Sequence, residues 1–337
     1  MELSIAFQTD KPLAAYGPLA AQAEAYGFDA VTVYNDMLYQ PAWLPLLEMA
    51  RATQRVRLGV AAVNPFTCHP INIAGNIALI DEAAGGRAYL GLARGAWLDF
   101  VGVQPSQPVA ALAEALRCVR HLLRLDPAPL AGDFFPLAGG DALRWPILRA
   151  DIPFLLGSWG VQAIRAGIAE IAEVKIGGSA NPAVAPHFRC VIDDAARQVG
   201  RAGAEIGIVI GAVCVVDEDG AAARALARRE VALYLPVVAG LDPTVTIDPD
   251  LLARLRTAAA QYDFAAAAAL ISDDLLRRFA FAGSPTDVAD QAAELFAAGA
   301  ARVEFGTPHG LTADDGLRLL GTAVLPRLRR EDLRNCL

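Results

Sequence analysis

The sequence predicts a (β/α)8 barrel, the TIM-barrel fold of the α/β class, because strand and helix signals alternate along nearly its whole length. Short apolar runs alternate with longer Ala/Leu-rich segments of helical period, and several of those segments end at glycine. This alternation is typical of a parallel sheet built from strand–helix units. An open, doubly wound sheet is the alternative. Eight runs are predicted as strands: residues 3–8, 30–34, 56–63, 88–93, 152–157, 173–177, 206–216 and 302–306.

Two segments interrupt this alternation. Residues 126–150 are rich in proline and glycine and are predicted to form a surface excursion before the fifth strand. Residues 240–282 are too long for an ordinary connection, so they are predicted to form an inserted helical segment before the last strand. The insertion could cover the barrel mouth as a lid, form a dimer contact or simply pack. Because such barrels run as single domains of about 250 residues or more, residues 1–337 are predicted to form one domain.

Composition and charge narrow the range of functions. Hydrophobic residues make up 55% of the chain and charged residues 20%, which is enough apolar surface for one large core. The formal net charge is −8, and Lys11 and Lys175 are the only lysines, so no general surface for nucleic acid or anionic membranes is expected. No stretch of about twenty residues has the character of a membrane span, and the N-terminus lacks the pattern of a signal peptide. We expect a cytoplasmic protein.

Several familiar site motifs are absent from the sequence. The five cysteines are far apart without a C-x-x-C pair, and the four histidines lack metal-ligand spacing, so neither a disulfide framework nor a metal site is expected. The sequence has no G-x-G-x-x-G, Walker or G-x-S-x-G motif, which disfavours a dinucleotide fold, a P-loop and serine hydrolase chemistry. By elimination, the sequence best suits a site for a large organic cofactor or substrate with an anionic tail.

Polar and glycine residues follow six predicted strands at their carboxyl ends, where barrel active sites lie. Each has a plainer explanation, since Asp36 could cap a helix and Asn64 could form a turn. Their joint placement at one rim nevertheless favours a site. The glycine-rich stretches 157–160 and 176–178 would free backbone N–H groups for a phosphate or the polar edge of a ring. The rim residues are Asn35 and Asp36, residues 64–67, residues 94–97, residues 158–160, residues 178–181 and residues 307–310.

Several stretches of the chain resemble the luciferase-like monooxygenase superfamily. They are residues 23–36, 51–70, 77–103, 156–182 and 302–310, in the same order as in that superfamily. Within it, the sequence is most similar to deazaflavin-dependent reductases related to methylenetetrahydromethanopterin reductase. The resemblance implies a barrel with an insertion before the last strand, a homodimer, and coenzyme F420, or FMN in other branches, bound at the carboxyl ends of the strands.

The resemblance also implies roles for individual residues. Relatives carry a bulge with a non-proline cis peptide in the third strand, and the matching pair is Ala61–Ala62. Asp36 matches an acidic residue near the polar edge of the deazaflavin, and Asn64 matches a side chain that reaches the same ring. The positions that match the surroundings of the cofactor tail are Ser158, Trp159, Gly160, Gly177 and Gly178.

Two positions depart from the sugar-phosphate dehydrogenase branch of the superfamily. Met37 stands where that branch has a catalytic histidine, and Arg94 falls at about the position of its acid. Sugar-phosphate oxidation is therefore not expected, and Arg94 is kept as a candidate cofactor-binding residue. Asp36 is the candidate catalytic residue, and Asp36, Tyr39 and His309 are the candidate proton donors.

Three functions are compatible with these observations. The first is an oxidoreductase in which reduced F420 passes a hydride to a small organic acceptor, or the reverse. The second is an FMN-dependent monooxygenase, which would consume oxygen and need a reductase partner to supply reduced flavin. The third is a flavin-binding protein of the same fold that has lost catalysis, and Met37 in place of the histidine keeps this hypothesis open.

Overall fold

The computed structural model describes the backbone of residues 1–335 and the side chains of residues 1–330. Eight parallel strands close into a barrel, which confirms the predicted fold class, and a ninth short strand joins its wall. Each of the eight predicted strands is present, with bounds within a few residues of those expected. The strands are β1 Glu2–Phe7, β2 Ala30–Val33, β3 Arg57–Val63, β4 Ala88–Ala93, β5 Phe154–Gly157, β6 Glu173–Gly177, β7 Gly207–Val216, β8 Ala280–Gly283 and β9 Arg302–Gly310.

The strand that the sequence does not predict is β8, and it lies at the end of the predicted helical insertion. Strand β7 is long enough to have two neighbours on one edge, β6 beside its first half and β8 beside its second, while β9 pairs along its other edge. The prediction for residues 280–282 is therefore wrong. The physical reason is that the run Ala-Phe-Ala-Gly is too short to show an alternating pattern, and pairing with β7 makes it a strand.

Helices cover the outside of the barrel. Among the described residues, no helix is long and apolar enough to cross a membrane. At the start of α12, Ser284 and Asp287 form a capping box, with each side chain bonded to the backbone N–H of the other. The helices are α1 Tyr16–Tyr26, α2 Trp43–Ala52, α3 Pro70–Ala83, α4 Pro108–Leu123, α5 Val161–Gly167, α6 Val184–Gln198, α7 Gly220–Val231, α8 Leu235–Val238, α9 Pro249–Ala260, α10 Phe264–Ala269, α11 Asp273–Phe279, α12 Pro285–Ala297, α13 Ala313–Leu319 and α14 Leu325–Asn335.

The inserted helices pack on one side of the barrel. Leu255 of α9, Ala267 of α10 and Phe279 of α11 are buried in a hydrophobic cluster that also contains Val231 of α7 and Ala280 of β8. This cluster is separate from the main core, which lies between the barrel and its other helices. Of the three roles left open for the insertion, packing therefore applies to helices α9 to α11.

The surface excursion at residues 126–150 contains no helix or regular strand, as the sequence predicts. One isolated bridge joins Leu130 to Leu137. The segment is held by Glu114 of α4, which is 3% exposed and whose carboxylate accepts hydrogen bonds from the backbone N–H groups of residues 133–135. A buried carboxylate is stabilised by such donors, so one acidic side chain fixes a segment that has few backbone hydrogen bonds of its own.

The barrel interior carries charges as well as apolar side chains. Glu173 and Lys175 alternate along β6 with outward residues, and Arg302 and Glu304 do the same along β9. Arg302 Nη2 donates to Glu173 at 2.8 Å, and Lys175 forms an ion pair with Glu304. The guanidinium carbon of Arg302 lies 4.8 Å from the centre of the Tyr89 ring. Two opposite pairs thus neutralise the buried charges.

Candidate cofactor-binding site

Two adjoining cavities open at the carboxyl ends of the barrel strands. The inner cavity, of about 560 Å³, extends into the barrel, and the outer cavity, of about 640 Å³, lies against the start of α5. The ten residues predicted to bind a cofactor all line at least one of them. The inner cavity has Ala61, Gly177 and Gly178, the outer has Asn64, Arg94 and Gly160, and Asp36, Ala62, Ser158 and Trp159 line both.

One wall of the inner cavity is the bend in β3. The Ala61–Ala62 peptide is cis, and the register of β3 against β4 shifts between Val60 and Val63, so the expected bulge is confirmed. Gly91 of β4 makes room for the bend, since a Cβ at Gly91 would lie 2.3 Å from the Val60 carbonyl oxygen. The small side chains of Ala61 and Ala62 leave this wall flat.

A second wall is formed by the end of β6, three strands further around the barrel. A Cβ built on Gly177 meets no atom within 4 Å, so a side chain there would project into the cavity. Gly178 has a φ of +78°, which favours glycine, and its N–H donates to the Gly211 carbonyl at 2.7 Å. Trp159 Nε1 donates to the Gly177 carbonyl at 3.0 Å. These contacts fix bare backbone against the inner cavity, which therefore suits a flat ring. Gly177 and Gly178, which the resemblance places around the cofactor tail, line this inner cavity and not the outer one that suits an anion.

The outer cavity has features that suit an anion. The Ser158 hydroxyl oxygen accepts from the Gly160 N–H at 3.0 Å, which shapes the turn into α5. Residues 161–163 form the first turn of α5 and line the cavity, and the N–H groups of a first helical turn have no partner within the helix. Arg94 is exposed and has no salt-bridge partner among the described residues. A phosphate or carboxylate would find donors and a positive charge here.

Asn64 has a structural role in addition to its place in the outer cavity. Its Oδ1 accepts from the N–H of Phe66 at 3.0 Å, and from the N–H and hydroxyl of Thr67 at 2.9 and 3.1 Å. The asparagine therefore builds the turn that follows β3, as the plainer interpretation has it. It lines the outer cavity, and contact with a ring in the inner cavity stays a prediction.

Asp36 lies on the boundary between the two cavities. Gln8 Nε2 donates to its Oδ2 at 2.8 Å, and Gln8 is held in turn because its Oε1 accepts from the Thr9 N–H at 2.9 Å. Tyr39, which is 49% exposed, lines the inner cavity. Asp36 and Tyr39 are therefore placed where they could exchange a proton with a bound molecule.

The prediction that His309 is a proton donor is wrong. The side chain is 2% exposed, its Nε2 is hydrogen-bonded to the Ala6 carbonyl at 2.9 Å, and its ring packs edge-on against Phe7. It lines neither cavity. Strand β9 continues to Gly310, so His309 belongs to the strand and not to a loop beyond it. The sequence prediction ended this strand at residue 306, which made His309 look like a rim residue.

We expect His309 to contribute to acid sensitivity. Burial lowers the pKa of His309 to about 4 from its usual 6.5, so between these values the unfolded chain binds a proton that the folded chain does not. Its contribution to stability is therefore full above pH 6.5 and is lost as the pH falls to about 4. At about 1.4 kcal/mol per pKa unit, the loss between pH 7 and pH 4.5 is about 2.5 kcal/mol. Urea unfolding at pH 7 and pH 4.5 measures it, and His309→Gln should lose less than wild type; equal losses would contradict the assignment.

Sequence reasoning missed several polar residues that line the inner cavity. Lys175 lies inside β6. Gln8 and Tyr34 directly follow β1 and β2, where the sequence predicts the last residues of strands, and Tyr234 lies between α7 and α8. A charge pattern could have found one of them, because Glu173 and Lys175 are two apart in an otherwise apolar strand and must face the same side. The missed polar side chains are Gln8, Tyr34, Lys175 and Tyr234.

Among the described residues, the cysteine, histidine and acidic side chains form neither a metal-binding cluster nor a disulfide. In the part of the chain that the structure describes, no group of three or more His, Cys, Asp and Glu side chains is arranged to hold a metal ion. Cys68, Cys118, Cys190 and Cys214 are free thiols. Cys336 lies outside the described residues.

Such a site, a flat-walled cavity beside one that suits an anion at the carboxyl end of a (β/α)8 barrel, belongs to the class of barrel sites that suit a large ring cofactor with an anionic tail. The family model for luciferase-like monooxygenases matches residues 2–302. The chain therefore belongs to the luciferase-like monooxygenase family.

Relatives with assigned names match from about two thirds to nearly all of the chain. The 5,10-methylenetetrahydromethanopterin reductase of Methanolobus tindarius is 27% identical over 336 residues, covering 96% of this chain and 100% of that protein. A putative coenzyme F420-dependent oxidoreductase of Mycobacterium tuberculosis is 31% identical over 251 residues, covering 69% and 71%. The solved structure of the coenzyme F420-dependent tetrahydromethanopterin reductase from Methanopyrus kandleri matches with a TM-score of 0.86 at 25% identity, covering 97% and 99%.

Proposed function

We propose that this protein transfers a hydride between coenzyme F420 and a small organic substrate. The observation that carries the proposal is the pair of flat walls, Ala61–Ala62 and Gly177–Gly178, on one cavity at the carboxyl end of the barrel. A planar ring fits between walls whose side chains are no larger than a methyl group. Relatives named for F420 dependence, one of them matching this chain over nearly its full length, support this choice of ring.

The residues present fit both parts of such a cofactor. The inner cavity would hold the ring, and Asp36, oriented by Gln8, would accept a hydrogen bond from the imide N–H of the ring. Arg94 and the first turn of α5 at residues 161–163 would bind the anionic tail. When bound, the deazaflavin supplies the carbon that gives or takes the hydride.

The protein's own contribution is to position the substrate and exclude water. Met37 and Trp97 lie at the boundary of the two cavities, and Leu233 and Val238 line the inner one. These apolar side chains favour a small organic substrate held against the ring, where orientation lowers the barrier to hydride transfer. Asp36, which faces the same space, would take or give the accompanying proton.

Cofactor titration tests the proposal directly. Purified protein is titrated without oxygen with F420 and with FMN, each oxidised and reduced, and binding is followed by absorbance and fluorescence. We expect F420 to bind and FMN to bind far more weakly, and we expect reduced F420 to be reoxidised by a member of an anaerobic panel of organic acceptors. Binding of FMN with oxygen consumption would instead support the monooxygenase. Binding of F420 without turnover across the panel would support the non-catalytic protein.

Replacing Arg94 by glutamine is expected to weaken F420 binding by about ten-fold, since a charged hydrogen bond contributes about 1.5 to 3 kcal/mol and exposure reduces that value. The ribityl form of the same deazaflavin, which has no anionic tail, is the matched control. Its affinity should be equal in wild type and Arg94→Gln. An equal loss for both ligands would show that Arg94 does not bind the tail.

A further inference from the structure

Lys175 places a positive charge at the floor of the inner cavity. It lies in the middle of β6, is 8% exposed, and its Nζ lies 5.2 Å from the centre of the Tyr34 ring, which lines the same cavity. Among the described residues that line the inner cavity, Lys175 alone has a cationic side chain. A buried ammonium is retained only where a carboxylate or a ligand compensates it.

Glu304 compensates the charge of Lys175 from a buried position that does not line the cavity. Glu304 is 1% exposed. It accepts a further hydrogen bond from the Thr32 hydroxyl, which is bonded to the Tyr89 hydroxyl. Burial opposes ionisation of Glu304, but Lys175 and Arg302 outweigh burial and lower its pKa, so the carboxylate is charged.

The Lys175 ammonium has unused N–H groups that could donate to a ligand. An ammonium has three N–H groups, and Glu304 Oε1 is the one hydrogen-bond acceptor that the described residues provide for Nζ. Tyr34 does not compete as an anion, because burial, together with the carboxylates of Glu304 and Asp36, raises its pKa well above the usual value. The floor of the cavity therefore presents a positive charge and unused N–H donors.

The inner cavity has opposite polarity at its two ends. Asp36 lies where the inner and outer cavities meet, and it is the one carboxylate among the described residues that line the inner cavity. Lys175 lines the inner cavity but not the outer one, and it lies inside the barrel. A flat molecule that fills the cavity therefore meets a carboxylate toward the outer cavity and an ammonium at the floor.

The two candidate cofactors differ at the end of the ring that would reach the floor. Both have an imide N–H that can donate to a carboxylate. The F420 ring carries an acidic phenol at its opposite end, where FMN carries methyl groups. We propose that Lys175 selects the deazaflavin over the flavin by binding its phenolate oxygen. This inference rests on the proposed function and assigns its cofactor specificity to one side chain.

The test compares wild type with a variant that lacks the Lys175–Glu304 ion pair. The double variant Lys175→Met with Glu304→Gln replaces both charges by neutral side chains, so neither protein leaves a buried charge of this pair uncompensated. Lys175→Arg is the conservative variant that keeps the charge. Circular dichroism verifies folding. Each protein is titrated with oxidised F420 and with FMN, and the visible absorbance of bound F420 is followed against pH to obtain the pKa of its phenol.

The double variant should bind F420 at least about ten-fold more weakly than wild type, with FMN affinity unchanged, since an opposite charge nearby shifts a pKa by about 1 to 3 units. The pKa of the bound phenol should rise by a similar amount, and Lys175→Arg should keep it low. Equal losses for both cofactors, or an unchanged phenol pKa, would overturn the role of Lys175 and leave the proposed function standing.

Wild-type protein provides a test that depends on no variant. The phenol of F420 bound to wild type should have a lower pKa than that of free F420, because a nearby ammonium favours the phenolate. A bound phenol with an equal or higher pKa would overturn the inference even if the double variant fails to fold. Failure of wild type to bind F420 at all would overturn both the inference and the proposed function.

Discussion

We expect replacement of Gly177 by leucine to abolish F420 binding and to leave the barrel folded. A Cβ at Gly177 meets no protein atom within 4 Å, and the residue lines the inner cavity, so the new side chain leaves the backbone without a clash at Cβ and enters ligand space. We expect affinity to fall by more than about 100-fold, a loss of about 3 kcal/mol of binding free energy. Fluorescence titration measures the affinity, and thermal unfolding verifies the fold.

Gly177→Ala should give a smaller loss, because a methyl group fills less of the cavity. Gly75→Ala is the control outside the site, since Gly75 lies in α3, lines neither cavity, and its Cβ would make an ordinary contact of 3.6 Å with Trp145. That variant should bind like wild type. Full binding of F420 to Gly177→Leu would show that the ring does not lie against β6.

Replacing Gly91 by alanine is expected to destabilise the protein by about 3 kcal/mol, the upper end of the usual cost of overpacking. Gly91 is buried in β4, and its Cβ would lie 2.3 Å from the Val60 carbonyl oxygen and 3.1 Å from the Ala61 Cα. Both atoms belong to backbone, which cannot turn aside as a side chain can. The bend in β3 would have to move, and the Ala61 wall of the inner cavity would move with it. Urea unfolding measures the stability. F420 titration shows whether displacement of the Ala61 wall weakens cofactor binding.

Gly157→Ala is the matched control on the adjoining strand β5. Its Cβ would come no closer than 3.5 Å to the Ala93 Cβ, an ordinary contact, so we expect a change in stability of less than about 1 kcal/mol. A similar loss for the Gly91 and Gly157 variants would show that glycine matters here for a general reason and not because β3 and β4 approach closely.

Most of the fold could be predicted from the sequence because its signals are local. A run such as residues 56–63 is largely apolar, β-prone and bounded by turn residues. This local pattern predicts a strand without knowledge of the strands that pair with it. The short strand at residues 280–283 has no such signal and forms because β7 offers a free edge. The extension of β9 to Gly310 likewise depends on pairing with β7, where His309 and Gly310 lie beside Val215 and Val216.

The candidate site divides in the same way. The sequence by itself determined the order of strands and helices, the glycines and alanines of the cavity walls, and the polar residues at the strand ends, since these follow from residue type and position along the chain. Only the tertiary structure decided that Lys175 meets Glu304, and that His309 is buried away from the cavities. Lys175 and Glu304 are 129 residues apart, and closing the barrel brings them together. Contacts across a closed sheet depend on register and on every intervening strand, which no local pattern encodes.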